Sequence, residues 1–175
     1  RYNAYFGIHT VHYMNLLGHT GCQPLPMNAV ILAAIKSIAA RTLSARPRSR
    51  PVMNAWTRGI FDKLDNLKFL AYLDSDGYPW IIPVIQAQSA DAERLLISTG
   101  AYGDELAAIP AGSPVAMLGM ALTMEDVLVR GVYTGVRRRA GLACAGVQVD
   151  WVYNAMPPVP GQIYPPLEQP AVTRF

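Results

Sequence analysis

The segment at residues 68–84, KFLAYLDSDGYPWIIPV, constrains the fold more than any other part of this chain. Two runs of β-prone residues, 68–73 and 78–84, flank the turn sequence DSDG at 74–77. Asp-Gly between such runs is a strong β-hairpin signal, because glycine reaches a positive φ without steric cost. The chain is therefore expected to contain a two-stranded antiparallel unit near its centre.

The second strand of this hairpin carries two prolines. Pro79 and Pro83 bracket an apolar run, Trp80-Ile81-Ile82. Proline cannot donate a hydrogen bond to a sheet ladder, so this strand is predicted to lie at a rim or edge of the sheet. An apolar strand that is incompletely paired usually borders a ligand or another subunit.

The composition favours one globular domain. Of the 175 residues, 51% are hydrophobic and only 15% are charged, which argues against disorder and favours an oligomer with apolar contact surfaces. The net charge is only +3 and the arginine runs are short, so no nucleic-acid binding is predicted. The apolar stretch at 29–40 is too short for a membrane span and contains Lys36. A cytoplasmic protein with reduced Cys22 and Cys144 is expected.

The rest of the chain divides into helices first and strands later. A helix is predicted at 26–45 and another at 54–64, the second capped by Asn54. Further strands are predicted at 93–99, 113–120, 127–138 and 143–151, with a short helix at 104–109. Six closely spaced strands with few helices between them predict a small antiparallel barrel of mainly β (α+β) class.

Three regions follow from this order of elements. Residues 1–50 form an N-terminal helical extension and linker, residues 51–155 form the barrel domain, and residues 156–175 form a proline-rich extended tail.

The succession of motifs resembles the FMN-binding split β-barrel proteins, the pyridoxamine 5′-phosphate oxidase-like superfamily. The hairpin sequence resembles the opening hairpin of that family, and the resemblance covers roughly residues 54–153. It continues, in the family's order, in four shorter pieces: LLIST (95–99), GDELAAI (103–109), AGSPVAMLG (111–119) and VLVRGVYTGV (127–136).

The resemblance implies a six-stranded antiparallel split β-barrel that forms a homodimer with one flavin in each of two clefts between subunits. It implies FMN as cofactor and a flavin-dependent oxidoreductase that acts on a small-molecule substrate. By position, the flavin ring or ribityl chain would lie along Trp80, Ile81, Ile82, Pro83 and Val84. The ribityl or phosphate end would meet Ser98, Thr99 and Gly100, where hydroxyls and N–H groups precede a helix.

The chain departs from the family at the start of the short helix. Phosphate-binding members usually carry Lys or Arg there, whereas this chain has Asp104 and Glu105. A phosphomonoester carries about −1.5 to −2 charges, which two carboxylates would oppose. Either an arginine arrives from elsewhere, or the flavin site is altered or lost, which would leave a non-catalytic split-barrel dimer. The candidate arginines are Arg50, Arg58, Arg130 and Arg137.

His9, His12 and His19 are the only histidines of the chain. His9 and His12 have the spacing of neighbours on a helix face, but no carboxylate lies near them. A satisfied structural cluster, or a segment that packs over the barrel mouth, is therefore favoured over a metal site, and no metal is predicted. Since related split barrels can use histidine for haem, haem binding is the third possibility. No nucleophile or phosphate-loop motif occurs, so no catalytic side chain is assigned.

Overall fold

Two helices precede the sheet. The computed structural model describes residues 13–16, 18, 21, 24–44, 50–139, 141–154 and 161–167. Helix α1 (Met27–Ser44) and helix α2 (Ala55–Asp62) confirm the two predicted helices. Asn54 caps α2, because its side-chain oxygen accepts a hydrogen bond from the Thr57 N–H at 2.8 Å.

The strands form one antiparallel sheet. In chain order the elements are β1 (Leu67–Leu73), β2 (Pro79–Pro83), β3 (Gln88–Ser89), β4 (Arg94–Ser98), α3 (Gly103–Ala108), β5 (Pro114–Met120), β6 (Asp126–Arg139), β7 (Leu142–Asn154) and β8 (Gly161–Tyr164). The spatial order is β2-β1-β5-β6-β7-β4-β3, and β8 pairs with β7. The mainly β class is confirmed.

The predicted hairpin is confirmed, and β2 lies at one end of the sheet as its prolines required. Gly77 adopts a φ of 81°, and Asp74 Oδ1 accepts hydrogen bonds from the N–H groups of Asp76 (3.0 Å) and Tyr78 (2.8 Å). The aspartate therefore holds the turn while glycine supplies its left-handed residue.

The expected count of six strands is wrong, since the described residues form eight. β3 has only two residues, both polar, and carries no local strand signal. β8 lies in the region predicted as an extended tail, where it pairs with the end of β7. In the described residues, the terminal strands β2 and β3 are not paired with each other, so the barrel is not closed.

The main core lies on the inner side of the sheet. It is built from alternate residues of the strands, such as Leu70, Met117 and Val129, and α2 contributes Ile60 and Phe61. Buried Tyr133 joins β6 to α3, because its hydroxyl donates to the Leu106 carbonyl at 2.6 Å. We call the opposite side of the sheet its outer face.

Helix α1 packs on β3 and β4 through small side chains. Ala33, Ala34, Ser37 and Ala40 are buried in this contact, whereas Ile31 and Ile35 on the other side of the helix are more than half exposed.

No helix among the described residues is long and apolar enough to cross a membrane. The division into regions 1–50, 51–155 and 156–175 stays a prediction.

The longest hairpin, β6–β7, contains two register shifts. They fall between Arg130 and Gly131 and between Tyr133 and Val136. At the first, a Cβ on Gly131 would lie 2.1 Å from the Gln148 carbonyl oxygen, so only glycine fits this close strand approach.

Candidate functional site

The outer face near β2 is apolar and exposed. Cross-strand partners share a face of a sheet, and the register aligns one row of side chains across five strands. The row consists of Ile81, Ala71, Ala116, Arg130 and Trp151. Ile81 is 62% exposed, and Leu73 beside it is 64% exposed. Large apolar side chains are thus exposed side by side at this end of the sheet.

A cavity of about 510 Å³ opens in the same area, and we call it the outer cavity. Strands β1, β5 and β6 form its floor, and Pro79 at the start of β2 forms part of its wall. The lining is mostly apolar, and the charged side chains on it are Arg130 and Asp150. Its volume falls within the range of small-molecule sites, and it is a depression open to the surface of the sheet.

Arg130 is held at the outer cavity by an aromatic side chain. Its guanidinium carbon lies 4.0 Å from the centre of the Trp151 ring, a cation–π contact. Trp151 stacks on Tyr153 with ring centres 5.5 Å apart, and its indole N–H donates to Gln162 Oε1 at 2.7 Å. The tryptophan is therefore fixed from two sides, and it positions the arginine.

The five predicted ring-contact residues of the hairpin divide between the two faces of the sheet. Ile82 and Val84 are buried in the core, at 1% and 0% exposure. Trp80 and Ile81 are exposed and Pro83 is half-buried. Only the last three therefore present surface to a ligand, and it is their neighbour Pro79 that lines the outer cavity.

The predicted phosphate-contact residues are engaged with the protein itself. The Ser98 N–H donates to Ser37 Oγ at 3.0 Å, and the Thr99 N–H donates to the Ala143 carbonyl at 3.2 Å. The Gly100 N–H donates to Ser98 Oγ at 3.3 Å. All three N–H groups that were expected to meet phosphate thus have protein acceptors.

Helix α1 also limits the space at this strand end. A Cβ on Gly100 would lie 3.2 Å from Ala33 Cβ, so the helix is in close contact with the backbone there. Asp104 and Glu105 are exposed in the first turn of α3, as the sequence indicated. The N–H groups of residues 98–100 are therefore not free to donate to a phosphate.

Buried Gln86 links the predicted ring-contact segment, residues 80–84, to the predicted phosphate-contact segment, residues 98–100. Its side-chain amide donates to the carbonyls of Ser98 and Ala101, each at 3.2 Å. Gln86 follows β2 by only three residues, so it joins the end of β2 to the end of β4. Its Oε1 is buried and has no partner among the described residues. Gln86 is not predictable as a site residue, because a single glutamine after a strand carries no local signal.

Buried Lys68 fixes the same connection from β1. Its ammonium donates to the carbonyls of Ile85 (2.8 Å) and Ala87 (3.2 Å), in the segment between β2 and β3. Burial lowers the pKa of Lys68 to about 8, and the nearby carboxylates of Asp62 and Asp65 oppose this shift. The sequence signal for a buried lysine was its position at the start of the apolar strand sequence KFLAYL.

The four candidate arginines lie in different places. Arg50 forms an ion pair with Glu93 at 2.5 Å, and Arg58 is on α2. Arg130 lines the outer cavity, and Arg137 lines a second, smaller cavity on β6. Of the four, Arg130 and Arg137 thus border open space on the sheet.

Several predictions concern residues outside the described part of the chain. His9, His12, His19 and Cys22 all lie outside the described ranges, so the histidine cluster stays a prediction. Cys144 is buried on β7. Among the described residues, no group of three or more His, Cys, Asp or Glu side chains could hold a metal ion.

Comparisons with known proteins give matches in structure only. No protein-family model and no curated protein matches the chain. HupZ of Group A Streptococcus matches with a TM-score of 0.51 and 12% identity, over 63% of this chain and 97% of that protein. At this identity, the likeness shows a shared fold.

Two looser matches have TM-scores below 0.5. One is a candidate pyridoxamine 5′-phosphate oxidase from Lactobacillus delbrueckii (TM-score 0.43, 18% identity, 59% of this chain and 95% of that one). The other is an FMN-binding protein from Syntrophomonas wolfei (TM-score 0.44, 8% identity, 74% and 97%).

Proposed function

We propose that this chain is a homodimeric split β-barrel protein that binds a flavin, with the flat ring in the outer cavity. The observation that carries this proposal is the cavity itself, about 510 Å³ with mostly apolar walls. Ligand sites of about 300–1,000 Å³ with few polar groups are typical for cofactors of this size. A bound flavin would supply hydride or electron transfer to an oxidoreductase.

The chain's own residues would bind and orient the ring. Ala71 and Ala116 are small and leave room at the floor, and Val132 adds an apolar wall. Arg130, positioned by Trp151, supplies a fixed positive charge and hydrogen-bond donors at the rim. A second copy on the exposed outer face would exclude water from the site.

Titration with riboflavin and FMN tests the proposal. We expect the flavin fluorescence to be quenched with a stoichiometry of one flavin per chain. Ala116→Trp would fill the outer cavity and weaken binding at least about tenfold, by overlap with the ring. Ala108→Trp is the matched control, since Ala108 is exposed on α3 away from the cavity.

Two outcomes would refute flavin binding in the outer cavity. One is the absence of quenching by either flavin at protein concentrations of about 100 μM, well above the Kd of a retained cofactor. The other is an equal loss of affinity in Ala116→Trp and Ala108→Trp, with both variants folded by circular dichroism.

A second candidate is a non-catalytic split-barrel dimer that has lost the flavin. The engaged N–H groups of Ser98, Thr99 and Gly100 under helix α1 favour it. A colourless protein that binds neither flavin and remains dimeric would support this candidate. A haem absorption band in the purified protein would instead support the haem possibility and direct attention to His9, His12 and His19.

A further inference from the structure

A second cavity lies on the outer face, two residues further along β6. It has a volume of about 130 Å³, and we call it the polar cavity. The polar side chains on its wall come from three strands. They are Arg94 on β4, Thr134 and Arg137 on β6, and Gln148 on β7.

The backbone of β6 builds this cavity through its second register shift. The shift lies between Tyr133 and Val136, and Gly135 within it adopts a φ of 78°. A bulge of this kind re-aims the side chains next to it. Across from it, Gly146 keeps the space open, because a Cβ there would lie 2.5 Å from Thr134 Oγ1.

Most of the polar side chains on the wall have no hydrogen-bond or ion-pair partner among the described residues. The side chains of Thr134, Arg137 and Gln148 make no hydrogen bond or ion pair with any other residue in the described ranges. Arg94 is ion-paired with buried Asp91, its Nε lying 2.8 Å from Asp91 Oδ2. This pair is close to neutral, so the net charge at the cavity comes from the Arg137 guanidinium.

A cation, a hydroxyl and an amide around one small space suit a tetrahedral oxyanion. Guanidinium and hydroxyl groups donate to its oxygens, and no carboxylate lines the cavity. Since a water molecule takes up about 30 Å³ of liquid, the cavity has room for roughly four waters. It is therefore large enough for a phosphate or sulfate group and too small for a flavin ring.

We propose that the polar cavity binds the phosphate group of a ligand or free phosphate, with Arg137, Thr134 and Gln148 as its contacts. The position relates it to the outer cavity. Val132, which lines the outer cavity, is paired with Gln148, which is paired in turn with Arg94. The two cavities thus meet at one row of side chains. That a ring ligand supplies the phosphate rests on the proposed function, whereas the anion site does not.

Titration with inorganic phosphate, followed by NMR of the backbone amides, tests the anion site. We expect saturable shifts at Thr134, Gly135, Arg137 and Gln148. Arg137→Ala should weaken binding about tenfold or more, since hydrogen bonds to a charged group are lost. Arg138→Ala is the matched control. Arg138 is exposed on the same strand, and its substitution removes the same charge.

The site is refuted if the shifts do not saturate. It is equally refuted if Arg138→Ala weakens binding as much as Arg137→Ala, since this would indicate general attraction by the basic surface. Thr134→Val keeps the shape of the side chain and removes its hydroxyl. It should also weaken phosphate binding, by about three- to tenfold, and an unchanged affinity would contradict its role as a contact.

Comparison of FMN with riboflavin identifies the source of the phosphate. If it belongs to the ring ligand, FMN binds at least about tenfold more tightly than riboflavin, and Arg137→Ala removes this preference. If the ligand is free phosphate, the two flavins bind alike and inorganic phosphate still binds. Riboflavin has no phosphate and reports the outer cavity alone, so failure of the flavin proposal and failure of the anion site give different results.

Discussion

Lys68 is a fully buried cation on β1, where charged side chains are rare. Because burial lowers its pKa from the usual 10.5 to about 8, the folded chain releases this proton at lower pH than the unfolded chain does. Between these two values the unfolded state binds more protons at this residue. Its contribution to the free energy of unfolding therefore rises with pH across that window.

We expect the wild type to gain stability relative to Lys68→Met between about pH 8 and pH 10. The gain should be on the order of a few kcal/mol, since one pKa unit corresponds to about 1.4 kcal/mol. Urea unfolding of both proteins at several pH values measures the difference. Lys63→Met, at an exposed lysine after α2, is the control and should follow the wild type. A wild-type advantage that does not change with pH would contradict the prediction.

Gly131 sets the closest approach of β6 and β7. An alanine Cβ would lie 2.1 Å from the Gln148 oxygen and 2.9 Å from Val149 Cα, so the strands would have to separate. Gly131→Ala should lower the free energy of unfolding by about 2–4 kcal/mol. Gly59→Ala is the opposite case, since Gly59 lies within α2 with open space around it. It should raise stability by about 0.5–1 kcal/mol. Denaturant unfolding compares them, and equal effects would refute the close approach.

At the scale of elements, one hydrogen bond attaches α1 to the end of β4. Ser37 Oγ and the Ser98 N–H are both buried. Ser37→Ala leaves this donor without its acceptor, at a cost of about 1–3 kcal/mol. Amide hydrogen exchange at residues 98–100 should then accelerate by about tenfold or more. Thr42→Ala on the same helix should leave it unchanged, because the Thr42 hydroxyl bonds only to carbonyls of its own helix. Unchanged exchange in Ser37→Ala would show that the attachment does not depend on this bond.

The elements with local signals were predictable, and the ones that depend on distant partners were not. Asn54 predicted the start of α2, and the Asp-Gly pair predicted the β1–β2 hairpin. The two-residue β3 is a strand only because β4 lies beside it. The contact between Ser37 and Ser98 joins residues 61 positions apart. No local pattern could show that α1 covers the strand end expected to be open.

The candidate site has the same limit. Arg130 and Arg137 were among four candidate arginines, but nothing in the sequence separated them from Arg50, which pairs with Glu93. The register of β5, β6 and β7 distinguishes Arg130 from the other candidates, because it aligns Arg130 with Ala116 and Trp151.

At the scale of the whole molecule, the proposed dimer would use the exposed outer face. Ile81→Asp would place a charge in the proposed interface and should weaken dimerisation by at least about tenfold. Leu122→Asp is the matched control, since Leu122 is 78% exposed in the turn between β5 and β6. Sedimentation across a concentration series measures the dimer dissociation constant. A monomeric wild type, or equal weakening by both variants, would contradict the proposed interface.

The small-residue contact of α1 has a consequence for how such a protein can change over evolution. The helix covers the end of β4 through Val30, three alanines and one serine, and it contributes no residue to the main core. A descendant could lose this helix without rebuilding the sheet. It would then free the Ser98 N–H, which now donates to Ser37 Oγ, while the Thr99 and Gly100 N–H groups would keep their acceptors on Ala143 and Ser98. One sheet could thus present this strand end either covered or open, depending on whether a single helix is retained.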